Sequence, residues 1–474
     1  MANLRLSSNY SCGIADPVAT ESGKVQGRAI MLENTKREAA PPAVADSIRA
    51  PYGIEELAAQ LVEQKVRPCL LQTVNGVSAG GVALRVPIQA ALQSPMGAEH
   101  LMRRVIMLVH ENVPLTLKLC ELGAEDGAIR ALEDFCGILR SALLAEGLAS
   151  DGIGISMQSH LVPLQAYLLI CTAILGRGPR YVILDSLQMR RHDNNRVQAE
   201  AETNWSFLWG RRHATPTIIP AYAASVTTRC PLLGDEAATA VLPEAGLQAP
   251  VESAWLPMSL NLVDFSDGHG RLHWNKLQFA LETAVDAGDR ILDRLHWPLP
   301  QQRSDAWQNR RLAVCVGGLG DLVVERGADP ADLRCLQWID ETIARIHALL
   351  WDRSKSLALK TEPLPALLSN WPAVPWDCDI KKSDWDLRWR RAVASTAVRH
   401  RNMLVMSPYA VLPRAGASAG FVDLLPVLHH ADAFSFAGPR VDGFRSCSEF
   451  ANFHRRAWAV MQRRNAASLV AAGV

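Results

Sequence analysis

No stretch of this chain approaches the roughly 18 consecutive apolar residues that cross a bilayer. Its first residues, MANLRLSSNYSCGIADP, lack the basic end and apolar centre of a secretory leader. A cytoplasmic protein without membrane contact is the expectation. Net charge is nearly absent as well: 49 Lys and Arg stand against 48 Asp and Glu, a formal +1. So small a field gives no general attraction for nucleic acid or an anionic surface, and neither is expected as a partner. Among the ten cysteines the closest pair in sequence is Cys120 and Cys136, which excludes the CxxC spacing of zinc and thioredoxin-like sites. In a reducing compartment each thiol reads first as a small buried hydrophobe.

Several chemical fingerprints are missing too. Residues 309–327, NRRLAVCVGGLGDLVVERG, bring Gly317, Gly318 and Gly320 together, but not at the G-x-G-x-x-G spacing of a dinucleotide turn, and no Lys-Ser/Thr ending makes a P-loop. DGIGISM (151–157) has Gly152 and Gly154 without a third glycine. No G-x-S-x-G elbow supports a serine nucleophile. His269 and His273, or His429-His430 beside Asp432, would suit a metal only if their spans were helical or adjacent in space. DGHGRLHW reads instead as a turn entering a helix, and no metal site is expected.

What is present is alternation. Hydrophobic residues at 49% and charged residues at 20% describe a globular protein. Residues 1–50 show no sustained periodicity, and TKREAAPPAVADSIRAP (35–51) has the composition of a linker, so a flexible leader is expected. The spacings Ile54, Leu57, Ala58, Leu61 and Leu132, Phe135, Leu139, Ala142, Leu143 are helical, and residues 51–150 read as a mainly helical region. A further helix is predicted from near His273 through Leu277, Leu281, Ala284, Leu292 and Leu295, ended by Trp297-Pro298. Another opens at Asp329-Pro330 and continues through Leu333, Leu336, Ile339, Ile343, Ile346 and Leu350. Between the helices lie runs of strand length: YVILDSL (181–187), LAVCV (312–316) and MLVMS (403–407). Such a pattern predicts an α/β fold, a parallel sheet covered by helices and either open or closed into a barrel.

Taken in order, these segments resemble a known family. NRRLAVCVGGLGDLVVERG is similar to the "RRIGIGVxGLADxLxxLG" signature of the ribonucleotide reductase large (catalytic) subunit, and LHWNKLQFALETAVDAGDRILDRLHWP to the helix before it. DGIGI (151–155) resembles the "GGGIG" turn, GRGPRYVILDSLQMRRHD (176–193) the "GxRRGAxxxxLxxxHPD" segment, and SLNLVDF (259–265) the "CxLGSINL" element. RWRRAVASTAVRHRNMLVMSP (388–408) is similar to "LRxxIxxxGxRNSxLxxxAP", with Arg401-Asn402 at its Arg-Asn pair. FHRRAWAVMQRRNAASLVAAGV is like the family's C-terminal segment, closest to the cobalamin-dependent members. The resemblance covers roughly residues 150–474. It implies a ten-stranded α/β barrel over 151–474, with a loop threaded through its centre, and a strand-to-helix junction at Gly317 and Gly318.

In that family a cysteine on the central loop, in Asn-x-Cys-x-Glu, becomes a thiyl radical. The resemblance puts Cys230 at that position, Thr228 in place of the asparagine, Leu232 in place of the general-base glutamate, and Trp255 in place of the second redox cysteine. Leucine accepts no proton, so Glu236 or Asp235 is the substitute base if the loop is remodelled. Gly154, Arg401, Asn402, Tyr409 and Arg414 are the implied substrate-binding residues; around Tyr409 the sequence YAVLPRAGASAG replaces the hydroxyl-rich phosphate loop, leaving Arg414 or Ser418 to compensate. The expected activity is a divergent radical oxidoreduction of a nucleotide or related small molecule, with adenosylcobalamin or a separate radical-generating subunit as the source and a homodimer as the assembly. The rival expectation is a silent paralogue serving as a binding or assembly module.

Overall fold

The computed structural model describes residues 53–122, 125–150, 152–158, 161–176, 178, 180–184, 218–222, 226–229, 236–237, 239–242, 248–328, 333–369, 398–405 and 467–468. In chain order the strands are β1 (Val66–Pro68), β2 (Leu70–Thr73), β3 (Gly76–Ala79), β4 (Val82–Pro87), β5 (Leu115–Cys120), β6 (Gly154–Gln158), β7 (Arg180–Leu184) and β8 (Ile218–Tyr222). They continue as β9 (Val226–Arg229), β10 (Glu236–Ala237), β11 (Ala240–Val241), β12 (Gln248–Ala249), β13 (Trp255–Asn261), β14 (Arg311–Gly317), β15 (Leu404–Val405) and β16 (Ala467–Ser468). The helices are α1 (Ile54–Glu63), α2 (Ile88–Gln93), α3 (Pro95–His110), α4 (Glu125–Ala145), α5 (Leu164–Leu175), α6 (Trp274–Leu292), α7 (Pro300–Asn309), α8 (Leu319–Glu325), α9 (Leu333–Lys360) and α10 (Pro365–Ser369).

Two sheets organise these elements. One runs β4-β5-β6-β7-β8 with every pair parallel; the other runs β1-β13-β14-β15, parallel except at β1. The fold is α/β, as the alternation predicted. Residues 51–150 carry long helices but also five strands, and β5 pairs directly with β6. A boundary at residue 150 therefore falls inside one sheet. The reason is physical: Thr116 and Lys118 interrupt LTLKLC, so its strand character depends on neighbours that cover both its faces. Among the described residues no ladder joins the two sheets into a closed barrel.

Period-2 alternation gives each sheet two faces. On β4, Val82, Leu84 and Val86 enter the main core, as do Leu256, Met258 and Leu260 on β13 and Leu312, Val314 and Val316 on β14. Ala83, Trp255, Ala313 and Cys315 belong instead to a second, smaller cluster with Ala240, Leu242 and Ala249. One face of each sheet thus meets the other across an inner cluster, and the β11–β12 hairpin lies in it. A hydrogen bond joins the turn before β13 to β4 there, Glu252 N–H donating to the Ala83 carbonyl at 2.9 Å.

The outer face of the second sheet is covered by α6, whose Leu277, Leu281, Ala284, Val285 and Ile291 are buried. Each leucine, valine or isoleucine among them contributes about 1.5–3 kcal/mol by burial. Gly288 lets the helix approach, since a Cβ there would stand 3.0 Å from Leu312 and 3.2 Å from Met258. The helix ends at Leu292, short of the predicted Leu295. Its N-terminus is reached through the 266–273 turn, in which Asp267 accepts the His269 and Arg271 amides. His269 and His273 serve that turn.

Gly317 and Gly318 form the expected junction between β14 and α8. Gly318 has φ +80°, and a Cβ would come within 2.2 Å of the Asn261 Oδ1 atom. That oxygen is already fixed, accepting the Val263 N–H at 3.1 Å. No phosphate role is needed to explain the glycines.

Candidate active site

Consecutive arginines between α7 and β14 build two charge networks on opposite sides of the sheet. Arg310 caps α7 in the left-handed region, φ 41° and ψ 59°, a conformation costing a side-chain-bearing residue roughly 1–2 kcal/mol. Ion pairing holds it there, and β14 then starts with Arg311 facing inward.

Arg311 is 1% exposed. Its guanidinium donates to Asp305 at 2.9 and 3.0 Å, to both Glu236 oxygens at 2.5 and 2.7 Å, and to Asn402 Oδ1 at 2.8 Å. It also lies 5.3 Å from the centre of the Trp255 ring. Burial works against its charge, but Asp305 and Glu236 outweigh that and hold it above the ordinary arginine range. Arg401 joins the same group, its Nε 3.5 Å from Glu236 and one terminal nitrogen donating to Asn309 at 2.9 Å. Asp305 is held in turn by the Ala254 and Asn309 donors at 2.9 and 2.7 Å. The result is a charge-balanced cluster of two arginines and two carboxylates on the inner face, in which the Arg311 donors are spent on protein acceptors.

The outer network centres on Asp289 of α6, 6% exposed. Arg310 reaches it at 2.7 Å, Arg399 at 3.3 Å and His400 Nε2 at 3.0 Å. Burial pushes the Asp289 carboxyl up, yet the His400 hydrogen bond and the charges of Arg310 and Arg399 hold it well below the usual range. His400 Nδ1 lies 2.9 Å from the Ser354 hydroxyl, which accepts the Arg399 and His400 amides at 3.1 and 3.2 Å. With both lone pairs so occupied, Ser354 donates its proton to Nδ1. His400 is then the neutral tautomer donating from Nε2, as burial, which lowers its pKa, also favours. Ser354, His400 and Asp289 have the order of a hydrolytic triad, but Ser354 and His400 are 0% exposed. They clamp residues 398–402 onto α6 and α9, and so set Arg401 and Asn402 against Arg311.

Of the residues expected from the sequence, Glu236, Arg401 and Asn402 meet in the inner network. Thr228 stands opposite Glu236 in the β9–β10 register. Both Glu236 oxygens are engaged by Arg311, so here it acts as an anchoring anion rather than a free base. Gly154 starts β6 in the other sheet. Cys230, Tyr409 and Arg414 lie outside the described residues, as do Leu232, Asp235 and Ser418. Trp255 fills the inner cluster, its indole N–H donating to Ser253 at 2.8 Å. Of the described cysteines, Cys69, Cys136, Cys171, Cys315 and Cys335 are buried. Burial, with Cys69 nearby, pushes the Cys315 thiol up to about 12, the mark of an inert thiol.

Sequence reasoning missed Arg311, Asp305, Asp289, His400 and Ser354. The doublet Arg310-Arg311 was the available signal, since adjacent strand residues face opposite ways. Nothing in the sequence shows which acids wait on either side.

No curated protein matches the chain in sequence. Among solved structures, the Actinobacillus ureae class Id ribonucleotide reductase alpha subunit is similar at 11% identity, over 69% of this chain and 59% of that one, with a TM-score of 0.44. This chain therefore spans under two thirds of that subunit's length, and so loose a likeness assigns no residue. The family model described as ribonucleotide reductase, barrel domain, matches residues 258–410, about a third of the chain. Asp289, Asp305, Arg311, Arg401 and Asn402 all fall inside that matched segment, which is similar to the barrel domain of ribonucleotide reductases.

Proposed function

We propose that the two sheets are parts of a ten-stranded ribonucleotide-reductase-like barrel, and that the protein is a divergent radical oxidoreductase. Its substrate is a nucleotide or related small molecule, and Cys230 carries the thiyl. The supporting observation is the inner network: Glu236, six residues after Cys230, is bound to Arg311 and Arg401, which the family match covers. Hydrogen transfer from a substrate carbon to the Cys230 sulfur would leave a thiol and a substrate radical.

The radical comes from adenosylcobalamin or from a separate subunit. The described inner face offers a corrin no open ligand, since Arg311 is fully engaged and the Cys315 thiol stays protonated. A homodimer remains part of the proposal on the resemblance alone.

A second reading, a silent binding or assembly module, is favoured by Glu236 being locked between two arginines and by Trp255 filling the inner cluster.

The deciding measurement is anaerobic exchange of tritium from the 5′ carbon of adenosylcobalamin into water with a ribonucleotide panel. Exchange in the wild type and none in Cys230→Ala is the expected result. Equal exchange in the variant sinks the role of Cys230. Absence of exchange in both, with nucleotides still binding, favours the silent module unless a radical subunit restores turnover.

A further inference from the structure

The inner face of the five-stranded sheet carries a second polar group, remote in sequence from the arginine network. On β5, Leu115, Leu117 and Leu119 enter the main core, so Thr116, Lys118 and Cys120 stand on the other face. That is the face on which neighbouring Ala83 joins the inner cluster. Register sets Arg85, Lys118 and Ser156 in one row across β4, β5 and β6, and Ala83, Thr116 and Gly154 in the row before it. Thr116 and Ser156 are 0% exposed and Lys118 6%.

Two of these side chains are unsatisfied, and the third, Lys118, has no carboxylate acting on it. Neither the Thr116 nor the Ser156 hydroxyl has a hydrogen-bond partner. Lys118 is influenced by burial and by Cys120, with no carboxylate acting on it, and burial pushes its amine down to about 8. A buried polar group without a partner costs about 1–3 kcal/mol, more when charged, and two hydroxyls with an ammonium side by side are not retained by packing alone. All three share one capability: each donates. A neutral hydroxyl or carbonyl from a ligand would satisfy one of them, whereas an anion with several acceptor oxygens satisfies all and supplies the missing countercharge.

We propose that this face binds an oxyanion, a phosphoryl group first of all, with Lys118, Thr116 and Ser156 as its donors. Ala83 and Gly154, flanking Thr116, carry almost no side chain, and the short β11–β12 hairpin covers this face, so an anion enters beneath it. Arg85, at the end of the Lys118 row, is exposed and paired with Glu121 at 2.7 Å, a second cation at the rim. The oxyanion comes either as free phosphate or as the phosphoryl group of a nucleotide. The site stands whether or not Cys230 forms a radical.

The test is calorimetric titration of the full chain with inorganic phosphate and, separately, with ADP, at pH 7 and pH 9.5, for wild type, Lys118→Met and Ser156→Ala. Phosphate binding is expected in the wild type, about tenfold weaker or more in Lys118→Met, weaker in Ser156→Ala, and weaker at pH 9.5 as the amine loses its proton. ADP that displaces phosphate identifies a nucleotide phosphoryl group as the occupant; ADP that does not identifies the free ion, and both support the site. Should Lys118→Met fail to fold, Ser156→Ala and the 13Cε resonance of Lys118, which moves toward the charged form with phosphate, decide. No binding of either anion, or binding indifferent to both substitutions with an unmoved resonance, overturns the proposal.

Discussion

Arg310 and Arg311 are neighbours in sequence, yet one is spent on holding a helix and the other on building the inner face. Asp289 makes the first role possible, its single carboxylate sitting among Arg310, Arg399 and neutral His400. Asp289→Asn would remove the anion that Arg310 and Arg399 share, leaving Arg310 to Asp293 and Arg399 to Glu362, and a loss of about 1.5–3 kcal/mol in urea unfolding is expected. Because burial lowers the His400 pKa from 6.5, the unfolded chain takes up this proton first on acidification. Stability should therefore fall as pH drops below about 6.5, and His400→Gln should flatten that limb of the pH profile. Lys118 has the same sign, in an alkaline window. Below pH 8 the amine is charged in both states and the full burial penalty applies; between about 8 and 10.5 only the unfolded chain keeps the proton, so stability rises with pH. In phosphate-free buffer at pH 7, Lys118→Met should stabilise by up to about 3 kcal/mol, and the alkaline rise should vanish.

At the scale of elements, the junction from β14 to α8 shows how one glycine fixes a direction. Gly318→Ala would place a Cβ against Asn261, whose side chain is itself held by the Val263 amide. The positive φ adds its own cost, and together a destabilisation of at least about 2 kcal/mol is expected by denaturant titration, larger than for Gly327→Ala, which has open space. Elements of this kind were legible. The α6 apolar spacing and the fully buried β14 run state their structure because apolar periodicity is enforced locally. The strand β5 was not legible, because Thr116 and Lys118 break the apolar run that marks a buried parallel strand.

Across the whole molecule, two sheets present one face each to a shared interior that holds Arg311, Trp255, Ala83 and the β11–β12 hairpin. Glu236 reaches into it from β10 to Arg311, linking a short segment to the sheet 75 residues further on. A double-mutant cycle of Glu236→Gln with Arg311→Met should show coupling above about 1 kcal/mol, since the two charges share a dry contact. Additive effects would show that Asp305 and Asn402 alone secure the arginine.

Local sequence carried the class of the fold, the helices α1, α4, α6 and α9, the glycine junction and the order of segments that resemble ribonucleotide reductase. Each rests on residues close together in the chain, where spacing and backbone geometry act directly. Tertiary structure alone decided which charges meet. Asp289 with His400, Arg311 with Glu236, and Lys118 with Ser156 are separated by 111, 75 and 38 positions, numbers that follow from the residue numbering and from no local pattern. Such pairings are set by strand register and helix docking, and a side chain's chemistry depends on the neighbour those bring.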